Sequence, residues 1–93
     1  MSKTLHIGDV RLFDEPRADK EQAVKVLEEA AEAFAAWQAN EEEPSPFARY
    51  QLLAECADVI QAVANLAGAL GVDDLRPHMA ACERRNRERG RIS

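Results

Sequence analysis

The sequence predicts an all-α protein whose antiparallel helices form a four-helix-bundle-like core, completed by homo-oligomerisation. Helix punctuation gives the first observation: Asp19, Ser45-Pro46 and Asp73 read as starts, and Pro44, Gly71 and Gly90 as stops. The second is the stretch from Leu52 to Leu70, apolar or small at every position except Glu55, Asp58, Gln61 and Asn65. The third is size, because a chain of 93 residues buries only about 60–65% of its unfolded surface. Leu52, Leu53, Val59, Ile60, Val63, Leu66 and Leu70 point in more directions than two short neighbours can cover, which predicts a homodimer or homotetramer.

Residues 1–18 read as an N-terminal arm or a small hairpin, since Thr4–Ile7 and Val10–Phe13 flank the turn-forming pair Gly8-Asp9. Residues 19–93 form the helical domain. Asp19 caps the first helix, with Gln22 at the capping-box position, and the helix is expected to reach about Asn40. Its apolar face is Ala23, Val24, Leu27, Ala31 and Phe34, widened sideways by Val26, Ala30, Ala33 and Trp37. Ser45 caps the second helix, Pro46 takes its first position and Gly71 follows its end. Asp73 is expected to cap the third, with Pro77 in its first turn and the helix continuing to about Arg89.

A net charge of −5 conceals a division along the chain. From Arg76 to Arg91 six arginines face two glutamates, so that tail carries +4 and the remainder −9. A nucleic-acid polymer calls for a broad basic surface with interleaved aromatics, and this chain has five aromatic residues in all. Phosphate on a small ligand fits the tail better; a solvated, frayed helix is the plainer reading. The Leu52–Leu70 stretch approaches membrane-spanning length, but two carboxylates on it are costly in lipid, so it reads as a core helix with no membrane partner. No signal-peptide pattern opens the chain, and Cys56 and Cys82 make no disulfide framework, which predicts a reduced, cytoplasmic protein. His78 and Cys82, four apart, supply only two ligands and no zinc site.

The four polar positions of the second helix, Glu55, Asp58, Gln61 and Asn65, fall within an arc of about 120°. No Lys or Arg lies between Arg49 and Arg76 to pair with the two carboxylates locally. Burying an unpaired carboxylate costs several kcal/mol, so something positive must come from elsewhere. The first helix offers Glu28, Glu29 and Glu32, and Glu29-Ala30-Ala31-Glu32 and Glu55-Cys56-Ala57-Asp58 each place two carboxylates one turn apart. Two such helices packed antiparallel can surround a hard divalent cation such as Mg²⁺. On a helical wheel Glu28 lies nearer the apolar arc than Glu29, so geometry alone pairs Glu28 with Glu32. The rival readings are a solvated acidic face on the first helix and ion pairs from Glu55 and Asp58 to tail arginines.

The pattern Glu28-Glu29-Ala30-Ala31-Glu32, a spacer of twenty-two residues, Glu55-Cys56-Ala57-Asp58 and then Asn86-Arg87-Glu88-Arg89-Gly90 resembles the MazG-like all-α nucleoside triphosphate pyrophosphohydrolases, over roughly Lys20 to Ile92. The resemblance implies Mg²⁺, with Mn²⁺ as a substitute, held by Glu29, Glu32, Glu55 and Asp58, in a site completed by oligomerisation. It implies cleavage of a nucleoside triphosphate to the monophosphate and pyrophosphate, with Glu28 or Glu29 orienting water or accepting its proton. It places Lys25, Asn86 and Arg89 at phosphates, and Gln61, Asn65 and Trp37 near the base or sugar. Two alternatives remain open: phosphoribosyl-ATP pyrophosphohydrolase, with a similar acidic helix pair, and a non-catalytic helical dimerisation module.

Overall fold

The Asp19 carboxylate accepts the Gln22 backbone N–H at 3.0 Å, and from that cap α1 runs over Lys20–Glu42. The reciprocal half of the capping box is not made: the Gln22 side-chain amide instead donates to the Ala62 carbonyl at 3.4 Å, across to the next helix. Ser45 Oγ accepts the Ala48 N–H at 2.9 Å, and α2 spans Pro46–Ala69 with Pro46 in the first turn. Leu70 caps α2, and Gly71 beyond it adopts φ +85°, the left-handed conformation that glycine takes without steric cost. A computed structural model describes residues 3–93, and among them these elements and α3, Arg76–Glu88, are the secondary structure. The all-α expectation holds at this level: three helices and, among the described residues, no strand.

The third helix starts later than the sequence suggests. With Asp73 as cap, Pro77 would occupy the position whose N–H must bond the cap carbonyl, and proline has no N–H to give. The helix therefore opens at Arg76, with Pro77 in its first turn. Leu75 is the cap, without a side-chain hydrogen bond. Asp74 closes the turn instead, accepting the Arg76 N–H at 3.0 Å and the guanidinium through Nε at 2.9 Å and Nη2 at 3.1 Å.

Residues 3–18 are an arm and not a hairpin. Its backbone groups are engaged by α2 side chains instead of by a second strand: Gln61 Nε2 donates to the Arg11 carbonyl at 2.9 Å, and the Phe13 N–H donates to Asn65 Oδ1 at 3.1 Å. Between them Leu12 packs against Gly68, where any Cβ would run into Leu12 Cδ1. Gln61, Asn65 and Gly68 lie on one face of α2 at spacings of four and three, and together they hold the arm.

α1 and α2 form an antiparallel hairpin joined by Glu43–Ser45, and α3 packs against neither. The seam between them differs from the predicted apolar face. On α1 the half-buried residues are Gln22, Val26, Glu29, Ala33, Ala36 and Asn40; on α2 they include Ala48, Leu52, Glu55, Val59, Leu66 and Ala69, with Ala62 fully buried. Both runs repeat by alternate steps of three and four. Val24, Leu27 and Phe34, expected inside, face out, with Leu27 71% exposed. Much apolar surface is left uncovered: the accessible area is 7866 Å², against about 5,400 Å² for a compact monomer of this mass. The radius of gyration, 15.3 Å, likewise exceeds the compact value of about 12 Å. α2 is long and apolar enough to cross a membrane, yet it carries Glu55 and Asp58 near its middle, where an aspartate alone costs about 2.5–3.5 kcal/mol in lipid.

Gly68→Ala tests the arm's attachment. Alanine favours a helix interior by about 1 kcal/mol over glycine, so α2 should not weaken, but the new methyl group displaces Leu12. The expected result is faster tryptic cleavage after Arg11 and Arg17 with an unchanged or raised melting temperature.

Candidate metal centre

The register that joins Gln22 to Ala62 also sets the acidic cluster. Seven residues further along α1 stands Glu29, and seven residues back along α2 stands Glu55, so the two carboxylates meet across the antiparallel seam. Glu32, one turn beyond Glu29, completes the group: one oxygen from each of Glu29, Glu32 and Glu55 lies within 4.8 Å of the other two. Asp58 stands near enough for its charge to act on both Glu29 and Glu55.

The electrostatics of the cluster are unbalanced. Glu29 Oε2 and Glu55 Oε2 are sealed from solvent and, as carboxylates, have no hydrogen-bond partner. Burial pushes the pKa of both groups above the ordinary glutamate value, and the negative charge of Glu32 adds to the rise. A hydrogen bond to Glu32, available only when one partner carries a proton, acts in the same direction. Among the described residues no arginine is paired with either group. Lys25 feels the charges of Glu29 and Glu32, and its ammonium is engaged by Glu28 at 3.3 Å, which with the Glu28 charge raises its pKa.

This placement decides between the two pairings that the sequence left open. Glu29, not Glu28, faces α2; Glu28 is exposed beside Lys25. The helical wheel misled because α1 is apolar or small around much of its circumference, and the seam uses the small side, Ala33 and Ala36, instead of the large one.

Beside the cluster lies a cavity of about 440 Å³ whose walls include Lys25, Glu29 and Asp58 from the helices and Phe13 and Arg17 from the arm. Gln61 and Asn65 also line it, but their polar atoms are largely committed. Asn65, 3% exposed, accepts from both the Phe13 N–H and Gln61 Nε2, the latter at 3.0 Å. Trp37 is not on the cavity wall; it stacks on Phe34 with ring centroids 5.9 Å apart and planes inclined at 19°. Asn86 and Arg89 are not brought to the cluster within the chain, because α3 stands away from the helix pair. Asn86 instead holds the C-terminal turn, accepting Arg91 Nη1 at 3.2 Å and donating to Cys82 Sγ at 3.5 Å. Sequence reasoning missed Phe13 and Arg17: no local pattern marks them, and they reach the cavity only through the arm's contacts with α2. No family model, curated protein or solved structure matches this chain.

A pH prediction follows from the raised carboxyl groups. When the folded pKa exceeds the unfolded one, the folded protein holds the extra proton between them; stability falls as pH rises through that window, which begins at the ordinary glutamate value. Asp74, held low by its hydrogen bonds to Arg76, works with the opposite sign but below the ordinary aspartate range. In chelator, the melting temperature should therefore be higher at pH 5 than at pH 7. Glu55→Gln should raise the pH 7 value and flatten the profile. Ion pairing to arginine would give the reverse, a less stable variant.

Proposed function

We propose that this protein is a Mg²⁺-dependent nucleoside triphosphate pyrophosphohydrolase of the MazG-like kind. One observation supports the reading above the others: Glu29, Glu32 and Glu55 converge from two facing helices, with two sealed oxygens that have no hydrogen-bond partner among the described residues. A surface charge run does not seal its oxygens, and among the described residues of the chain itself no arginine is paired with the cluster. The donor set is all oxygen, which suits a hard divalent ion.

Glu29, Glu32 and Glu55 would hold the metal, with Asp58 beside them. When bound, the ion supplies neutralisation of the triphosphate and activation of a water. Glu29, where not fully engaged with the ion, would accept the proton of the attacking water as its oxygen attacks the α-phosphorus. The bond from the α-phosphorus to the bridging oxygen breaks, releasing pyrophosphate and leaving the monophosphate. Glu28 positions Lys25 on the cavity wall, where its ammonium meets the phosphates.

The same proposal includes a homo-oligomer. The surplus surface, about 2,500 Å² beyond a compact monomer, exceeds the roughly 1,600 Å² that a standard interface buries. Leu27, Phe34 and Trp37 on α1 and Leu53 and Val63 on α2 are the exposed apolar residues to cover. Pairing two hairpins gives a four-helix bundle, and a partner's α3 is then the route by which Asn86 and Arg89 come to the phosphates. That open apolar surface also favours the second reading, a non-catalytic dimerisation module, in which the acidic cluster has no turnover to perform.

Pyrophosphate release from a panel of nucleoside triphosphates and phosphoribosyl-ATP, with Mg²⁺ or chelator, separates these readings. Metal-dependent release is expected, and Glu55→Gln should reduce it by more than about a hundredfold, since even partners behind metal ligands cost 10–100-fold. Parent-like turnover in Glu55→Gln would sink the metal-centre assignment. Light scattering should give a multiple of the 10.3 kDa chain mass, lowered by Leu27→Glu.

A further inference from the structure

We propose that the N-terminal arm is part of the substrate pocket, with Phe13 as the platform for the nucleobase and Arg17 as a phosphate contact. This rests on the reading of the cavity as the nucleotide site and names the residues that recognise the two ends of the ligand. The cavity is lined both by Glu29 and Asp58 of the acidic cluster and by Phe13 and Arg17 of the arm. A ligand filling it touches both.

Phe13 combines a fixed backbone with an unpacked ring. Its N–H is bonded to Asn65, itself almost wholly buried, and the Arg11 carbonyl two residues earlier is bonded to Gln61. Leu12 is anchored on Gly68 between them. Three contacts thus define where residue 13 sits, yet its side chain is 64% exposed. An aromatic ring held at a cavity wall and largely exposed offers a face for stacking, which every base can use. Among the residues lining the cavity Phe13 is the aromatic one, whereas Trp37 is engaged with Phe34 outside it.

After Phe13 the chain bends through Asp14 and Glu15, where Glu15 takes φ +52°, and so turns back to bring Arg17 to the same cavity. Among the described residues Arg17 is paired with no carboxylate, unlike Lys25, whose ammonium is held by Glu28. A guanidinium with free donors on a cavity wall suits phosphate oxygens, which it meets in a bidentate fork.

The two roles separate in one titration series. Full-length parent, Phe13→Ala, Phe13→Tyr and Arg17→Gln are titrated calorimetrically, in Mg²⁺, with α,β-methylene-ATP and with inorganic tripolyphosphate. Phe13→Ala should weaken the nucleotide analogue by about fivefold to a hundredfold and leave tripolyphosphate unchanged, and Phe13→Tyr should restore the analogue. Arg17→Gln should weaken both probes. The arm assignment is overturned if Phe13→Ala binds the analogue like the parent, if it weakens both probes equally, or if it lowers the oligomer mass, which would place the ring at a subunit contact. Arg17 loses its role if Arg17→Gln weakens neither probe. A parent that binds neither probe in Mg²⁺ overturns the nucleotide reading itself, a result distinct from each of these.

Discussion

Two carboxylates facing each other across a helix seam are the constraint on which the rest of this structure turns. Glu29 and Glu55 occupy seam positions that in an ordinary helix hairpin hold leucine or valine, and each has one oxygen shut away from water without a partner. Coulomb repulsion and lost hydration both act against that arrangement. Along the seam they are flanked by Val26 and Ala33 on α1 and by Leu52 and Val59 on α2. The antiparallel register converts two unremarkable E-x-x-E and E-x-x-D runs into one cluster. The hairpin gives up apolar contact to hold negative charge, an exchange that a bound cation would offset under the function proposed above.

Using the small face inside puts the large face outside. Val24, Leu27, Phe34 and Trp37 of α1 are turned away from α2, and Leu53 and Val63 of α2 are similarly uncovered. The chain on its own is therefore an open arrangement, a helix pair with an arm laid along one side and a third helix standing off. Its acidic cluster and its arginine-rich helix are both present, but not together. An assembly of copies answers the uncovered surface and the separated charges at once, since the face opposite the seam is available for a second hairpin.

The arm links this architecture to recognition. Gln61 and Asn65 sit on the same stripe of α2 as Glu55 and Asp58, one and two turns further along. Their amides carry no charge and each offers both a donor and an acceptor, which suits them to an irregular backbone that has no strand to pair with. The polar stripe thus has two parts along its length, carboxylates that join the acidic cluster and amides that hold the arm, and residues of both line the cavity.

By itself the sequence determined what is local. Helix starts and ends were legible because caps act through residues three or four apart: Asp19 with Gln22, Ser45 with Ala48, Gly71 after α2. The start of α3 was misplaced only where Pro77 overrode the cap rule. The pairing of the acidic runs was legible as a spacing, and so was the absence of a nearby cation. Which face of α1 turns inward was not, because apolar and small residues surround much of that helix and periodicity cannot rank Leu27 above Ala33 when a close approach favours the smaller. That choice, the selection of Glu29 over Glu28, and the docking of Phe13 and Arg17 beside them belong to the tertiary structure. They depend on antiparallel register and on contacts between residues some fifty positions apart, such as Phe13 with Asn65 and Arg11 with Gln61, and no local pattern records those.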